Sequence, residues 1–360
     1  MNRAEYHKKI ETNIKDILAA KGHEGYLFNN FRNQLFAWRL GTDFRRTYSE
    51  EFLWEKALSL STNSTILLQY DPNSTYAINA LRECAEIYEY LFDASEKYDK
   101  EYCAILSALC YDIAGFQANA LCMMKNVKDY EYLNPYLLND ISIDNSILFH
   151  VKQILLKSLP LGYSSIATDS GKKELGFKLF LNGIKQFYES ALFGKEDNFL
   201  NSLYEAYRYS LEDGNVYISH ILFLLRFRLK KYIERSVWIN LKEQGKSDSP
   251  IWQKYTRLLT TDVYDQFRVK ELQKRTSKYE FWVSQLRALE KGVIASNESF
   301  VIQMPTSSGK TFIAELSILD YLVNNPNKKC IYIAPFRALT IEIEYELSKN
   351  LSKLGYTVSS

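Results

Sequence analysis

The stretch that most constrains the fold lies late in the chain. There the apolar run Phe300-Val301-Ile302-Gln303 meets Met304-Pro305-Thr306-Ser307-Ser308-Gly309-Lys310-Thr311, and Phe312-Ile313-Ala314-Glu315-Leu316 follows. This order predicts a buried strand, a tight loop and a helix. Such a loop aims successive backbone N–H groups at one point beside the positive end of the helix dipole, and so holds an anion. Gly309 lets the backbone approach a phosphate closely. Lys310 is placed to reach the β- and γ-phosphates of a nucleotide, and the Thr311 hydroxyl to sit on Mg²⁺. Thr306, Ser307 and Ser308 are small and polar, as a loop wrapped around phosphate needs. Met304 stands where the strict phosphate-loop pattern has glycine.

Downstream, Lys329-Cys330-Ile331-Tyr332-Ile333-Ala334 has the composition of a second buried strand, after a helix that ends near Asn324-Asn325-Pro326-Asn327. It runs into Pro335-Phe336-Arg337-Ala338-Leu339-Thr340 and a further helix. Strand, loop, helix and strand at this spacing predict a βαβ unit, the start of a parallel sheet covered by helices.

These motifs carry a resemblance. Pro305-Thr306-Ser307-Ser308-Gly309-Lys310-Thr311, then Ala314-Glu315, then Ala334-Pro335-Phe336-Arg337-Ala338-Leu339, resemble motifs I and Ia of superfamily 2 helicases. Upstream, Phe281-Trp282-Val283-Ser284-Gln285-Leu286-Arg287-Ala288-Leu289 resembles their Q-motif. The pattern is most similar to the DExH helicases of the Ski branch, and it covers Lys278 to Ser360, under a quarter of the chain. The resemblance implies an α/β RecA-like motor domain that binds ATP and Mg²⁺. Lys310 and Thr311 would then be the catalytic phosphate and metal residues, and Gln285 the adenine reader. Arg337 and Thr340 would touch the backbone of a bound DNA or RNA strand. A glutamine amide donates and accepts at once, which matches the adenine edge and mismatches guanine. Phe281 and Trp282 are read either as stacking on adenine or as packing of the first helix.

A motor of this kind also needs a strand ending in Asp-Glu to hold Mg²⁺ and activate the attacking water. After the loop the acidic residues are Glu315, Asp320, Glu342, Glu344 and Glu346, all in helical patterns. The chain closes on Tyr356-Thr357-Val358-Ser359-Ser360, read as the start of a third strand. The expectation is a motor domain that is incomplete here, so that these 360 residues alone do not hydrolyse ATP.

With 45 basic and 43 acidic residues, no global field recruits nucleic acid, and any such contact must be local. The 46% apolar content supports real cores, while 27 tyrosines with few Gly and Pro favour helices. A charged N-terminus and the absence of a spanning apolar run predict a cytoplasmic protein without membrane contact. Cys84, Cys103, Cys110, Cys122 and Cys330 form no Cys-x-x-Cys pair and read as buried thiols on helix or strand faces rather than metal ligands.

Up to about Lys246 the periodicity is helical. Helices are expected over Glu5 to Ala20, Tyr26 to Leu40, after the capping Ser49, and over Thr75 to Phe92. Two more, rich in Ala104, Ala108, Ala114, Gly115, Ala118 and Ala120, lie between Lys97 and Lys125. No signature recurs at a fixed period, which leaves a repeat array and a loose bundle or irregular solenoid both open. Phe177, Phe180, Leu181, Ile184, Phe187, Tyr188, Ala191 and Leu192 form one broad core-facing stripe. A helix is expected over Tyr217 to Lys242, with Arg228, Lys231 and Arg235 on one face, either as a phosphate-contacting stripe or as a solvated one. Lys270, Lys274, Arg275 and Lys278 form another basic stretch.

The polar segment Gln244 to Pro250 marks the expected boundary. The reading is an α-helical accessory or partner-binding region over 1–246, a linker and lead-in helix over 247–277, and the first part of a RecA-like domain over 278–360. Large helical extensions of this sort are similar to those of helicases in anti-phage defence systems such as Hachiman, where the helicase pairs with a nuclease. The rival reading is a helical interaction scaffold with a nucleotide-binding remnant that does not turn over.

Overall fold

The computed structural model describes residues 3–18, 25–42, 48–125, 142–157, 175–196, 198–261, 277–294, 298–304 and 309–360. In chain order its α-helices are α1 (Arg3–Leu18), α2 (Gly25–Arg39), α3 (Glu50–Leu68), α4 (Thr75–Ala94), α5 (Lys100–Ile113), α6 (Gln117–Lys125), α7 (Ile143–Leu155) and α8 (Leu175–Phe193). They continue with α9 (Phe199–Glu212), α10 (Val216–Arg235), α11 (Val237–Glu243), α12 (Pro250–Thr261), α13 (Val283–Glu290), α14 (Lys310–Asn324) and α15 (Arg337–Leu351). None of the described helices is long and apolar enough to cross a membrane.

The chain divides into two compact units. The first comprises 1–156, 160–186 and 198–231, the second 157–159, 187–197 and 232–360. In the first, α4 packs against both of its sequence neighbours, α3 and α5. Every residue of α5 from Cys103 to Ile113 is buried, with Ala104 and Ala108 among them. Small side chains there let the helices approach closely. Side-chain caps fix several helix starts: Ser49 accepts from the Phe52 N–H at 3.2 Å, and Asp99 from the Glu101 N–H at 2.9 Å. Trp54 stacks on Tyr98 with centroids 4.7 Å apart. On α8, which runs from the first unit into the second, the stripe from Phe177 to Leu192 is buried throughout. Gly183 lets α9 come close, since a Cβ there would lie 2.9 Å from Leu203 Cγ.

Three expectations are corrected. The stripe Arg228, Lys231 and Arg235 is neither a phosphate contact nor a solvated face: Arg228 and Arg235 are buried, and Arg228 Nε lies 3.4 Å from the buried Asp112 carboxylate. A guanidinium enters a core only with such a partner. Cys84, Cys103 and Cys110 are buried, whereas Cys122 and Cys330 are exposed. The helix expected from Tyr217 to Lys242 breaks at Ser236, where its main chain turns to bridge Glu280 in antiparallel fashion. The Phe281 N–H donates to the Arg235 carbonyl at 2.8 Å, and the Val237 N–H to the Tyr279 carbonyl at 3.0 Å. These bonds replace helical ones.

The second unit packs α11 to α15 around Trp252, Tyr255, Leu259, Phe281, Ile313, Leu316, Leu319, Leu347 and Leu351. The polar segment Gln244 to Pro250 is the turn between α11 and α12. The α12 helix covers the first part of the helix expected over 251–275. Lys270, Lys274 and Arg275 lie outside the described residues.

The parallel sheet is not formed among the described residues. Residues 300–304 and 329–335 are without strand pairing, as are 355–360 at the expected third strand. Val301 is 100% exposed, Ile331 88% and Ile333 87%. A strand gains its hydrogen bonds only from neighbouring strands, and a pair by itself is marginal. The helices bonded to themselves form regardless.

Candidate functional site

Helix α14 begins where the phosphate loop ends. Gly309, its N-cap, has φ 79° and ψ 36°, a left-handed conformation that favours glycine. It carries the chain into the helix so that the first N–H groups, which have no acceptor within a helix, lie at the loop. Among the predicted nucleotide residues Thr306, Ser307 and Ser308 lie outside the described residues, while Gly309, Lys310 and Thr311 open the helix. Lys310 is exposed, and its Nζ donates to the Met304 carbonyl at 3.0 Å. That contact uses the backbone of Met304, so the absence of glycine there leaves it intact.

Gln285 comes to the same place from α13. It is 5% exposed. Its Oε1 accepts from the Trp282 N–H at 2.8 Å, and its Nε2 faces the Gly309 carbonyl at 3.5 Å. A Cβ built on Gly309 would fall 2.1 Å from that Nε2. The space a side chain would fill is therefore taken by the glutamine amide, and the loop glycine is required on two counts, backbone conformation and close approach. The structure thus brings Gln285 and Gly309, one from each motif, together at one place. Its residues fit ATP: a helix N-terminus and an ammonium for phosphate, a hydroxyl at Thr311 for the metal, and an oriented amide for a base edge.

The two aromatic residues before α13 have separate fates. Phe281 is fully buried and stacks on Phe312 of α14 with centroids 5.6 Å apart, so it packs the core and does not stack on adenine. Trp282 is half-buried, with Lys157 Nζ 5.5 Å from its ring centre. Arg337 opens α15 and is exposed, whereas the Thr340 hydroxyl donates back to the Phe336 carbonyl at 3.3 Å. Both lie on the first turn of that helix.

Two supports of α14 could not be foreseen. Glu315 is buried, and its Oε1 accepts from Asn350 Nδ2 of α15 at 2.7 Å. Burial holds its carboxyl above the usual range, against the pull of Lys278. Lys246 pairs with Asp320, tying the turn before α12 to α14. The only trace of the first in the sequence is an acid inside an otherwise apolar helix face.

Comparison with known proteins accords with this geometry. Residues 283–360 match the DEAD/DEAH box helicase family. The Hachiman protein HamB of Bacillus cereus is 27% identical over 292 residues, 79% of this chain and 24% of that protein. The ATP-dependent DNA helicase Hel308 of Methanocaldococcus jannaschii is 34% identical over 96 residues, 26% of this chain and 8% of its own length. Hel308 of Pyrococcus horikoshii is 35% identical over 92 residues, 26% of this chain and 12% of that protein. This chain thus spans a quarter or less of the length of these relatives. Over residues 283–360 it carries the N-terminal portion of a superfamily 2 DEAD/DEAH box helicase domain.

Proposed function

We propose that this chain is the N-terminal part of an ATP-dependent nucleic-acid helicase or translocase that serves anti-phage defence. The observation that carries the reading is Gly309 in a left-handed conformation at the N-terminus of α14, with the Gln285 amide packed where its side chain would be. In this reading Thr306, Ser307, Ser308, Gly309 and Lys310 hold the phosphates, and Thr311 holds Mg²⁺. Gln285 reads adenine, and Arg337 and Thr340 contact a DNA or RNA strand. ATP with Mg²⁺ supplies the phosphoryl transfer that drives stepping, and hydrolysis takes place only in the complete protein, with its acidic strand end and second motor domain. The helical residues 1–246 bind a partner protein such as a nuclease or gate the motor, a reading supported by similarity to HamB along most of the chain.

The direct test is binding of a fluorescent ATP analogue to the chain. Lys310→Ala should weaken it roughly tenfold or more, the loss expected for a charged hydrogen bond to phosphate. Equal affinity in the two proteins would overturn the nucleotide assignment. In the complete protein, Arg337→Ala should weaken single-strand binding about equally across sequences, as a backbone contact does. An unchanged affinity would remove Arg337 from the interface.

A further inference from the structure

The residues leading into α13 are held from several directions at once. Ser277 N–H donates to the Lys157 carbonyl at 2.8 Å, and Lys278 N–H to the Leu259 carbonyl at 3.0 Å. Tyr279 is fully buried between Phe187 and Tyr232, with ring centroids 5.9 and 5.8 Å away. Tyr279 and Phe281 bond to the main chain on either side of Ser236. The side chain of Glu280 is wholly buried, and its carboxylate lies 3.2 Å from Lys157 Nζ. Lys157 stands just beyond α7, far upstream in the sequence. Its φ is 54°, a left-handed conformation unusual for a lysine. Such backbone strain persists only where the surroundings over-determine it. Here one residue supplies a carbonyl to Ser277, an ammonium to Glu280 and a cation near the Trp282 ring.

From this segment one chain of contacts reaches the nucleotide loop. Trp282 follows Glu280 by two residues, and its N–H fixes Gln285 Oε1. With the oxygen turned that way, Nε2 faces Gly309. The direction in which the amide presents its donor and acceptor is therefore set by where Trp282 sits, and Trp282 sits beside the buried ion pair. We propose that Lys157 and Glu280 are positioning residues for base recognition: by locking the 277–282 segment they orient the Gln285 amide and so set the preference for adenine over guanine nucleotides. The pair touches neither phosphate nor metal.

The inference rests on the nucleotide site proposed above, and one experiment separates the two. Affinities of the chain for ATP, GTP and inorganic tripolyphosphate are measured for the wild type, Lys157→Met, Lys157→Arg and Glu280→Gln, each with its melting temperature. Lys157→Met keeps the apolar stem and drops the charge; Lys157→Arg keeps the charge. The expected result is a preference for ATP over GTP that falls about threefold to tenfold in Lys157→Met and Glu280→Gln, as for a misdirected hydrogen bond. Tripolyphosphate affinity should stay within about twofold, and Lys157→Arg should retain most of the preference. If the folded variants keep the wild-type preference, or lose affinity for all three ligands by one factor, the pair is merely structural and the inference fails. Should Lys157→Met not fold, the isosteric Glu280→Gln decides alone. A wild type that binds no ATP sinks the nucleotide site itself, and one that binds ATP and GTP equally sinks base reading by Gln285.

Discussion

Helix α5 and the residues around the phosphate loop are similarly apolar, yet they end in opposite surroundings. From Cys103 to Ile113 every residue of α5 is buried. Val301, Ile331 and Ile333, in runs of comparable apolar content, are almost wholly exposed. A helix makes its own main-chain bonds and needs only neighbours to cover its faces. A strand needs another strand before its side chains have a surface to sit on. Apolar composition therefore reports what a segment is suited to bury and not whether it is buried.

The sharpest way to break this contrast is to attack the burial that the first unit depends on. Asp112→Ala leaves the Arg228 guanidinium in the core without its carboxylate, and should cost about 3–5 kcal/mol of unfolding free energy in denaturant titration. A loss near zero would mean that water reaches Arg228 and that this core is looser than its burial implies.

Acid should separate the units next. Burial pushes His150 and His220 from 6.5 down to about 4. The unfolded chain takes up protons near 6.5 and the folded first unit only near 4. The stability from these two groups is thus complete above 6.5 and is lost as the pH falls toward 4. By pH 5 the loss should be on the order of 2 kcal/mol per histidine. All four histidines precede residue 232, so the stretch 232–360 has none. Glu315 there has the opposite sign: its raised carboxyl contributes stability that is complete below 4.5 and is lost as the pH rises through the folded value. His150→Leu should flatten the acid limb of the first unit and leave Glu315 untouched; a limb of unchanged slope would show that His150 takes up its proton alike in the folded and unfolded chain.

The smallest expected effect is at the exposed strand residues. Ile331→Ser with Ile333→Ser should alter stability by no more than about 0.5 kcal/mol, as at surface positions, while reducing self-association seen by light scattering. A large destabilisation would show these side chains buried in solution and erase the contrast with α5.

Much of the local structure was legible in the sequence because its causes are local. Ser49 caps α3 because a hydroxyl precedes the first turn, and the stripe on α8 is buried because its period matches the helix. Gly309 before Lys310 and Thr311 pointed to a loop entering a helix N-terminus, and that is where the structure has them. Phe281 was ambiguous until Phe312 was found against it. Arg228 looked like one of a basic row because nothing in its own helix reveals Asp112. The break at Ser236 was hidden because its partner in the bridge, Glu280, lies more than forty residues on, beyond α11 and α12.

By itself, then, the sequence determined many of the helices, the Ser49 cap of α3, the stripe of α8, and the order of the Q-motif, phosphate loop and motif Ia, each written in spacings of a few residues. Only the tertiary structure decided that the Gln285 amide occupies the space at Gly309, that Arg228 is a core residue and that Lys157 reaches Glu280. Those outcomes depend on side chains distant in sequence meeting at hydrogen-bond range, and no short-range pattern encodes which distant partner arrives.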